Sequence, residues 1–305
     1  MVTPVRGIPP PVPGCRRWRH AIDRGARAPR GSPTAITAAI TTRGPEEERV
    51  HPYRSVVAIG DSFTEGVGDE LADGTVRGWA DLVAHGLQAA VGEPVLYADL
   101  AVRGRLLAPI LGEQLDAARA MGPDLISLNG GGNDLLRPRV SVHDLSEAMR
   151  RATARAVDDG AHVLVVTGAD PTARLPLGRA VRRRGDALAD AVRAWTVDLP
   201  GVTFVDNWHD ERLRQAEPWS ADRLHLGPAG HRRVAGNVLR ALGVEVPADL
   251  RDVPHGAGTP TAHGAAGYYT RHVLPWVGRR LRGRSSGDGR EPKQATLAPV
   301  RVLLG

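Results

Sequence analysis

Between residues 55 and 246, short apolar runs alternate with longer stretches of helical periodicity. The runs are Ser55–Ile59, Val95–Val102, Leu125–Asn129, His162–Thr167 and Val202–Asp206. They are rich in Val, Leu and Ile and nearly continuous, as expected of strands covered on both faces. Helix candidates lie at 78–91, 106–121, 141–159, 178–198 and 227–242. In the second of these, Leu106, Ile110, Leu111 and Leu115 recur at the near-3.6 spacing of one buried face. Five strands alternating with helices predict an α/β fold in three α/β/α layers around a parallel five-stranded sheet. Reactive groups in such sheets gather beyond the carboxyl ends of the strands.

The regular pattern stops at both ends, which divides the chain into three parts. Residues 1–50 are rich in Pro, Gly and Arg and read as a disordered basic extension. Residues 51–246 form the folded domain, and 247–305 form a second basic extension. Within the latter, 268–282 reads as a short basic amphipathic helix interrupted by Pro275, and 283–305 as a tail. That helix is expected to dock on the domain, with a membrane surface or a partner as the alternative. Translation beginning near Val50 is a further expectation, which intact-mass analysis of natively expressed protein decides. No apolar run reaches the roughly 18 residues of a membrane span. Residues 1–30 lack the apolar stretch of a secretory signal, so a cytoplasmic protein is expected. The single cysteine, Cys15, makes no intramolecular disulfide, which fits a reducing compartment.

The net charge of +6 invites a nucleic-acid reading until it is divided along the chain. Residues 1–54 carry ten Arg against four acids, and 247–305 carry nine basic residues against four. Residues 55–246 carry 21 Arg against 26 acids. The folded part is therefore mildly acidic, and no nucleic-acid partner is expected. The only lysine, Lys293, has no P-loop around it.

Four segments carry candidate chemistry. Gly60-Asp61-Ser62 follows the first strand, where a serine is either a nucleophile or the cap of the next helix. Gly104 follows the second apolar run, where a bare backbone N–H can approach a ligand. Asn129-Gly130-Gly131-Gly132-Asn133-Asp134 follows the third, and presents an amide to a cleft, or cradles a phosphate, or places Asp134 as a helix cap. Asp-x-x-His occurs four times. Asp159/His162 opens a strand at the wrong end of the sheet, and Asp252/His255 lies in the irregular tail. Spacing alone leaves Asp206/His209 and Asp222/His225 both open. A serine nucleophile needs a base, an orienter for the base and preorganised oxyanion donors. Ser62, His225, Asp222, Gly104 and Asn133 can supply these roles.

These blocks in this order resemble the SGNH hydrolase superfamily of GDSL-like lipases and esterases, from about Ser55 to Gly243. GDSFTEG looks like its first block, with Phe63 where many relatives have Leu. Gly104 matches the second, Gly131-Gly132-Asn133-Asp134 the third, and DRLHLGPAGH the last. The resemblance implies a flavodoxin-like fold and a triad of Ser62, Asp222 and His225. It implies an oxyanion hole of Ser62, Gly104 and Asn133, with no metal or organic cofactor. His209 then reads as a loop or structural residue, and His231 as structural. The implied substrate is a small-molecule or lipid ester. An acyltransferase or thioesterase on the same fold is the alternative, and a non-catalytic nucleotide-binding doubly wound protein a more distant one. The latter lacks the G-x-G-x-x-G fingerprint, and no Gly-x-Ser-x-Gly elbow occurs within 55–246. Arg103 and Arg105 flank Gly104 and either attract an anionic substrate or pair with nearby acids.

Overall fold

A computed structural model describes residues 53–174, 178–251 and 287–301, all within the unit Glu48–Gly305. The expectations for residues 1–50, Cys15, Asp252/His255 and a helix at 268–282 lie outside the described residues.

Five parallel strands form where the apolar runs predict them. They are β1 (Ser55–Ile59), β2 (Leu96–Asp99), β3 (Leu125–Leu128), β4 (His162–Val166) and β5 (Val202–Val205). A sixth, β6 (Gln294–Pro299), joins them, and the sheet order is β5-β4-β3-β1-β2-β6. The expectation of a five-stranded sheet with a tail after 283 is thus corrected. β6 pairs antiparallel with β2, Tyr97 opposite Ala298 and Asp99 opposite Gln294. Without it β2 would present an open edge of unpaired backbone groups.

The sheet divides the core in two. Val56 and Ala58 face one side of β1, Val57 and Ile59 the other. The first side is covered by α2 (Trp79–Val91) and α8 (Pro228–Ala241). The second is covered by α3 (Leu107–Pro109), α4 (Leu115–Ala120), α6 (Val142–Asp158) and α7 (Gly178–Thr196). Burial on both faces explains why the strands read as continuous rather than alternating. Two short helices, α1 (Ser62–Glu65) and α5 (Gly132–Leu135), open directly after β1 and β3.

Local signals set the helix ends. Ser141 caps α6 by accepting from Asp144 N at 3.2 Å. Asp81 reaches back to Gly78 N at 2.7 Å at the start of α2, which stops at Gly92 with φ 71°. Pro228 occupies the first turn of α8. The single helix expected over 106–121 is broken. Pro109 has no N–H for the regular ladder, and a π-helical segment, Ile110–Gln114, separates α3 from α4.

Candidate active site

The carboxyl ends of β1, β2 and β3 meet the loop before α8, and there the structure brings Ser62, Asp222 and His225 together. Gly60 ends β1 because a Cβ there would lie 2.4 Å from Thr64 Oγ1. Asp61 is the N-cap of α1 and accepts from Phe63 N at 3.1 Å, which leaves Ser62 as the first helical residue. His225 Nε2 stands 3.1 Å from Ser62 Oγ, and His225 Nδ1 stands 2.6 Å from Asp222 Oδ2. An ionised Asp222 can only accept, so Nδ1 carries the proton and the Nε2 lone pair faces the serine hydroxyl.

Asp222 is held on every side. Its Oδ1 accepts from Ser220 Oγ at 2.7 Å and from the N–H groups of Leu224 and His225, each at 2.9 Å. Burial pushes its pKa up, but His225 and these donors pull it further down, to a value below the ordinary carboxylate range. The turn that allows this puts Arg223 at φ 57°, the only non-glycine residue at positive φ among the described residues. Such strain is held where surrounding contacts over-determine the turn.

Gly104 lies at φ 78° in the loop after β2, a backbone setting that suits glycine. Its N–H and that of Ser62 donate to no acceptor among the described residues. Asn133 Nδ2 donates to Asp61 Oδ2 and to the Arg105 carbonyl, both at 3.0 Å. All three residues, with His225, line one cleft of about 570 Å3. Its apolar lining includes Leu106, Leu135, Met149, Val165, Leu188 and Val192.

Several supports were not visible as site residues in the sequence. Gln114, in the π-helical segment, accepts from Gly60 N at 2.8 Å and donates to Gly60 O at 3.0 Å. It clamps the peptide that precedes the Asp61-Ser62 turn. Asp61 is buried and its pKa is raised to about 6, chiefly by desolvation. Asp134 caps a helix, but a distant one: its Oδ2 accepts from Leu107 N at 2.9 Å at the start of α3.

Arg103 is bound to Glu65. Its guanidinium donates to Glu65 Oε1 at 2.8 and 2.5 Å, and its backbone N–H to Oε2 at 2.6 Å. Arg105 lies 3.5 Å from Glu113 in a more exposed pair. Both line the cleft, Arg103 with its charge already met. His209 points elsewhere, to Asp206 at 2.8 Å and Asp186 at 3.6 Å. His231 is completely buried, accepting from Trp79 N at 3.2 Å through Nδ1. Burial lowers its pKa to about 4, so its ring is neutral near pH 7. A Gly-x-Ser-x-Gly spacing does occur at Gly283–Gly287, outside the α/β pattern, and its Ser285 lies outside the described residues. Among the described residues, no group of three or more His, Cys, Asp or Glu could hold a metal ion, and no helix is long and apolar enough to cross a membrane.

Comparison with known proteins adds three findings. A model of the GDSL-like Lipase/Acylhydrolase family matches residues 58–233. No curated protein matches the chain by sequence. Solved structures do match the fold. A catalytic mutant of Axe2, an acetylxylan esterase from Geobacillus stearothermophilus, is 20% identical at a TM-score of 0.52, with 63% of this chain and 95% of that one covered. The lipase Lip_vut3 from a goat rumen metagenome is 20% identical at 0.51, covering 62% and 97%. LAE5, an alpha/beta hydrolase enzyme from the metagenome of Lake Arreo, Spain, is 21% identical at 0.50, covering 62% and 95%.

Proposed function

The chain belongs to the GDSL-like lipase/acylhydrolase family, a family of carboxylic ester hydrolases, and we propose that it works through Ser62, His225 and Asp222. The observation that carries this reading is the continuous line from Asp222 Oδ2 through the His225 ring to Ser62 Oγ, at 2.6 and 3.1 Å. Ser62 Oγ attacks the ester carbonyl while Nε2 of His225 takes its proton. Asp222 fixes the tautomer and stabilises the imidazolium that forms. The oxyanion accepts from the N–H groups of Ser62 and Gly104 and from the Asn133 amide. For that, one Asn133 N–H turns from its present acceptor toward the substrate. The imidazolium returns its proton to the departing alcohol, leaving an acyl-serine. Water then attacks the acyl carbonyl as His225 takes its proton, the bond to Ser62 Oγ breaks, and the imidazolium returns the proton to Oγ as the acid is released.

The apolar lining supports an acyl group as the part of the substrate that the cleft holds. Arg103 serves the site through Glu65 rather than as a free charge for an anionic substrate. Labelling with a serine-directed phosphonate tests the nucleophile. One adduct per chain, mapped by mass to the peptide holding Ser62, is expected. Adducts confined to another serine refute the assignment.

A further inference from the structure

The chain has 40 Lys and Arg residues, and one of them is a lysine. That residue, Lys293, stands just before β6, beyond the segment matched by the family model. Its ammonium is inserted beneath the catalytic turn. It donates to Asp81 Oδ2 at 2.5 Å and to the Glu65 carbonyl at 2.8 Å, and it lies 3.0 Å from Asp99 Oδ2. The Val76 carbonyl lies at 3.4 Å. These partners end α1, cap α2, end β2 and precede α2. A compact ammonium can satisfy acceptors arranged around one point, which a planar guanidinium cannot.

The same segment reaches the loop that carries Gly104. A Cβ on Gly287 would lie 2.1 Å from the Arg103 carbonyl, so residue 287 rests directly against that backbone. Asp288 lines the cleft with Ser62. Glu65 joins the two contacts. Its carbonyl accepts from Lys293, and its carboxylate holds the Arg103 backbone and guanidinium. Arg103 in turn immediately precedes Gly104.

We propose that residues 287–299 form a clasp that sets the nucleophile turn and the Gly104 loop relative to each other, with Lys293 as its positioning residue. The inference rests on Ser62 as nucleophile and Gly104 as an oxyanion donor. The clasp touches no reacting atom. It acts through the Glu65 carbonyl and the Arg103 backbone, where a displacement of about 1 Å can lower turnover by about 100-fold. The competing role is that β6 only covers the edge of β2.

The test uses the full chain and the rate of phosphonylation at Ser62, beside kcat, KM and Tm for a p-nitrophenyl ester. Lys293→Met/Asp99→Asn removes the ammonium together with one buried carboxylate, so the net charge of the cluster is unchanged and Asp81 keeps its bond from Gly78 N. Gly287→Ala crowds the Arg103 carbonyl and changes no charge. Both variants are expected to be phosphonylated at least about 10-fold more slowly than wild type. kcat should fall by a similar factor and KM stay within about twofold. Wild-type phosphonylation rates in variants that melt within a few degrees of wild type overturn the clasp and leave β6 as edge cover. Should the double variant not fold, Gly287→Ala decides alone by the same criterion. Wild-type protein labelled elsewhere than Ser62 overturns the underlying nucleophile assignment and the clasp with it.

Discussion

Asn133 donates its side-chain amide to the buried carboxylate of Asp61 at 3.0 Å, so the proposed oxyanion donor is aimed by the residue next to the proposed nucleophile, Ser62. Asp61 also caps α1 through Phe63 N. Asp61→Asn keeps an oxygen for the cap but turns an amide toward an amide. We expect kcat to fall by up to about 100-fold, against about 100- to 1,000-fold for Asn133→Ala. Because both act through one hydrogen bond, the double variant should be no slower than Asn133→Ala alone. Losses that multiply in the steady-state kinetics would show that Asp61 acts independently.

Asp222 bonds four donors and holds His225 in one tautomer. Asp222→Asn presents an amide that can let the ring flip to the wrong tautomer. Turnover should drop about 10,000-fold with the fold intact. A variant within tenfold of wild type by initial rates would contradict the role given to Asp222.

His231 ties α8 to the start of α2 and stays neutral when buried, with a pKa lowered to about 4. The unfolded chain takes up this proton as pH falls through about 6.5, whereas the folded chain does so only near 4. His231 therefore supports the fold fully above pH 6.5 and progressively less down to pH 4. Asp61 and Asp99, both raised to about 6, act in the opposite sense and lose their contribution as pH rises through about 6. His231→Asn removes the first effect alone, its amide oxygen replacing Nδ1 as acceptor for Trp79 N. The stability gap between wild type and His231→Asn should narrow by about 2 to 3 kcal/mol from pH 7.5 to pH 4.5. Urea unfolding at the two pH values measures it, and a constant gap would exclude a buried neutral ring.

Gly185 lets α7 pass the indole of Trp208, since a Cβ there would lie 2.0 Å from Cζ2. Trp208 is anchored by Asp186 Oδ1 at 2.8 Å and lines the cleft. Gly185→Ala should destabilise the protein by about 1 to 3 kcal/mol through overpacking, despite the better helix former. Denaturant unfolding followed by tryptophan fluorescence checks this, and a gain in stability would show that the indole moves aside freely.

The strands and long helices were legible because burial imposes periodicity: β1 and β4 begin at the predicted residues, and α7 opens at Gly178 as read. The break at Ile110–Gln114 was missed because apolar spacing carries through Pro109, although the proline itself was the signal. β6 was missed for a different reason. Its six residues lie outside the α/β alternation, and they pair with a strand some 200 residues away. The Glu65–Arg103 and Asp61–Asn133 contacts are likewise products of the fold, since nothing local links positions 38 and 72 residues apart. Spacing alone left His209 and His225 open as the base. The structure turns His209 to Asp206 and brings His225 to Ser62.

We propose that His225 Nε2 and Ser62 Oγ, 3.1 Å apart, are the reacting pair of an esterase. Hydrolysis of p-nitrophenyl acetate by purified wild type and Ser62→Ala tests it most directly. Ser62→Ala, with an unchanged melting temperature, should fall to the background rate. Cleavage by Ser62→Ala at the wild-type rate would rule out Ser62 as the nucleophile.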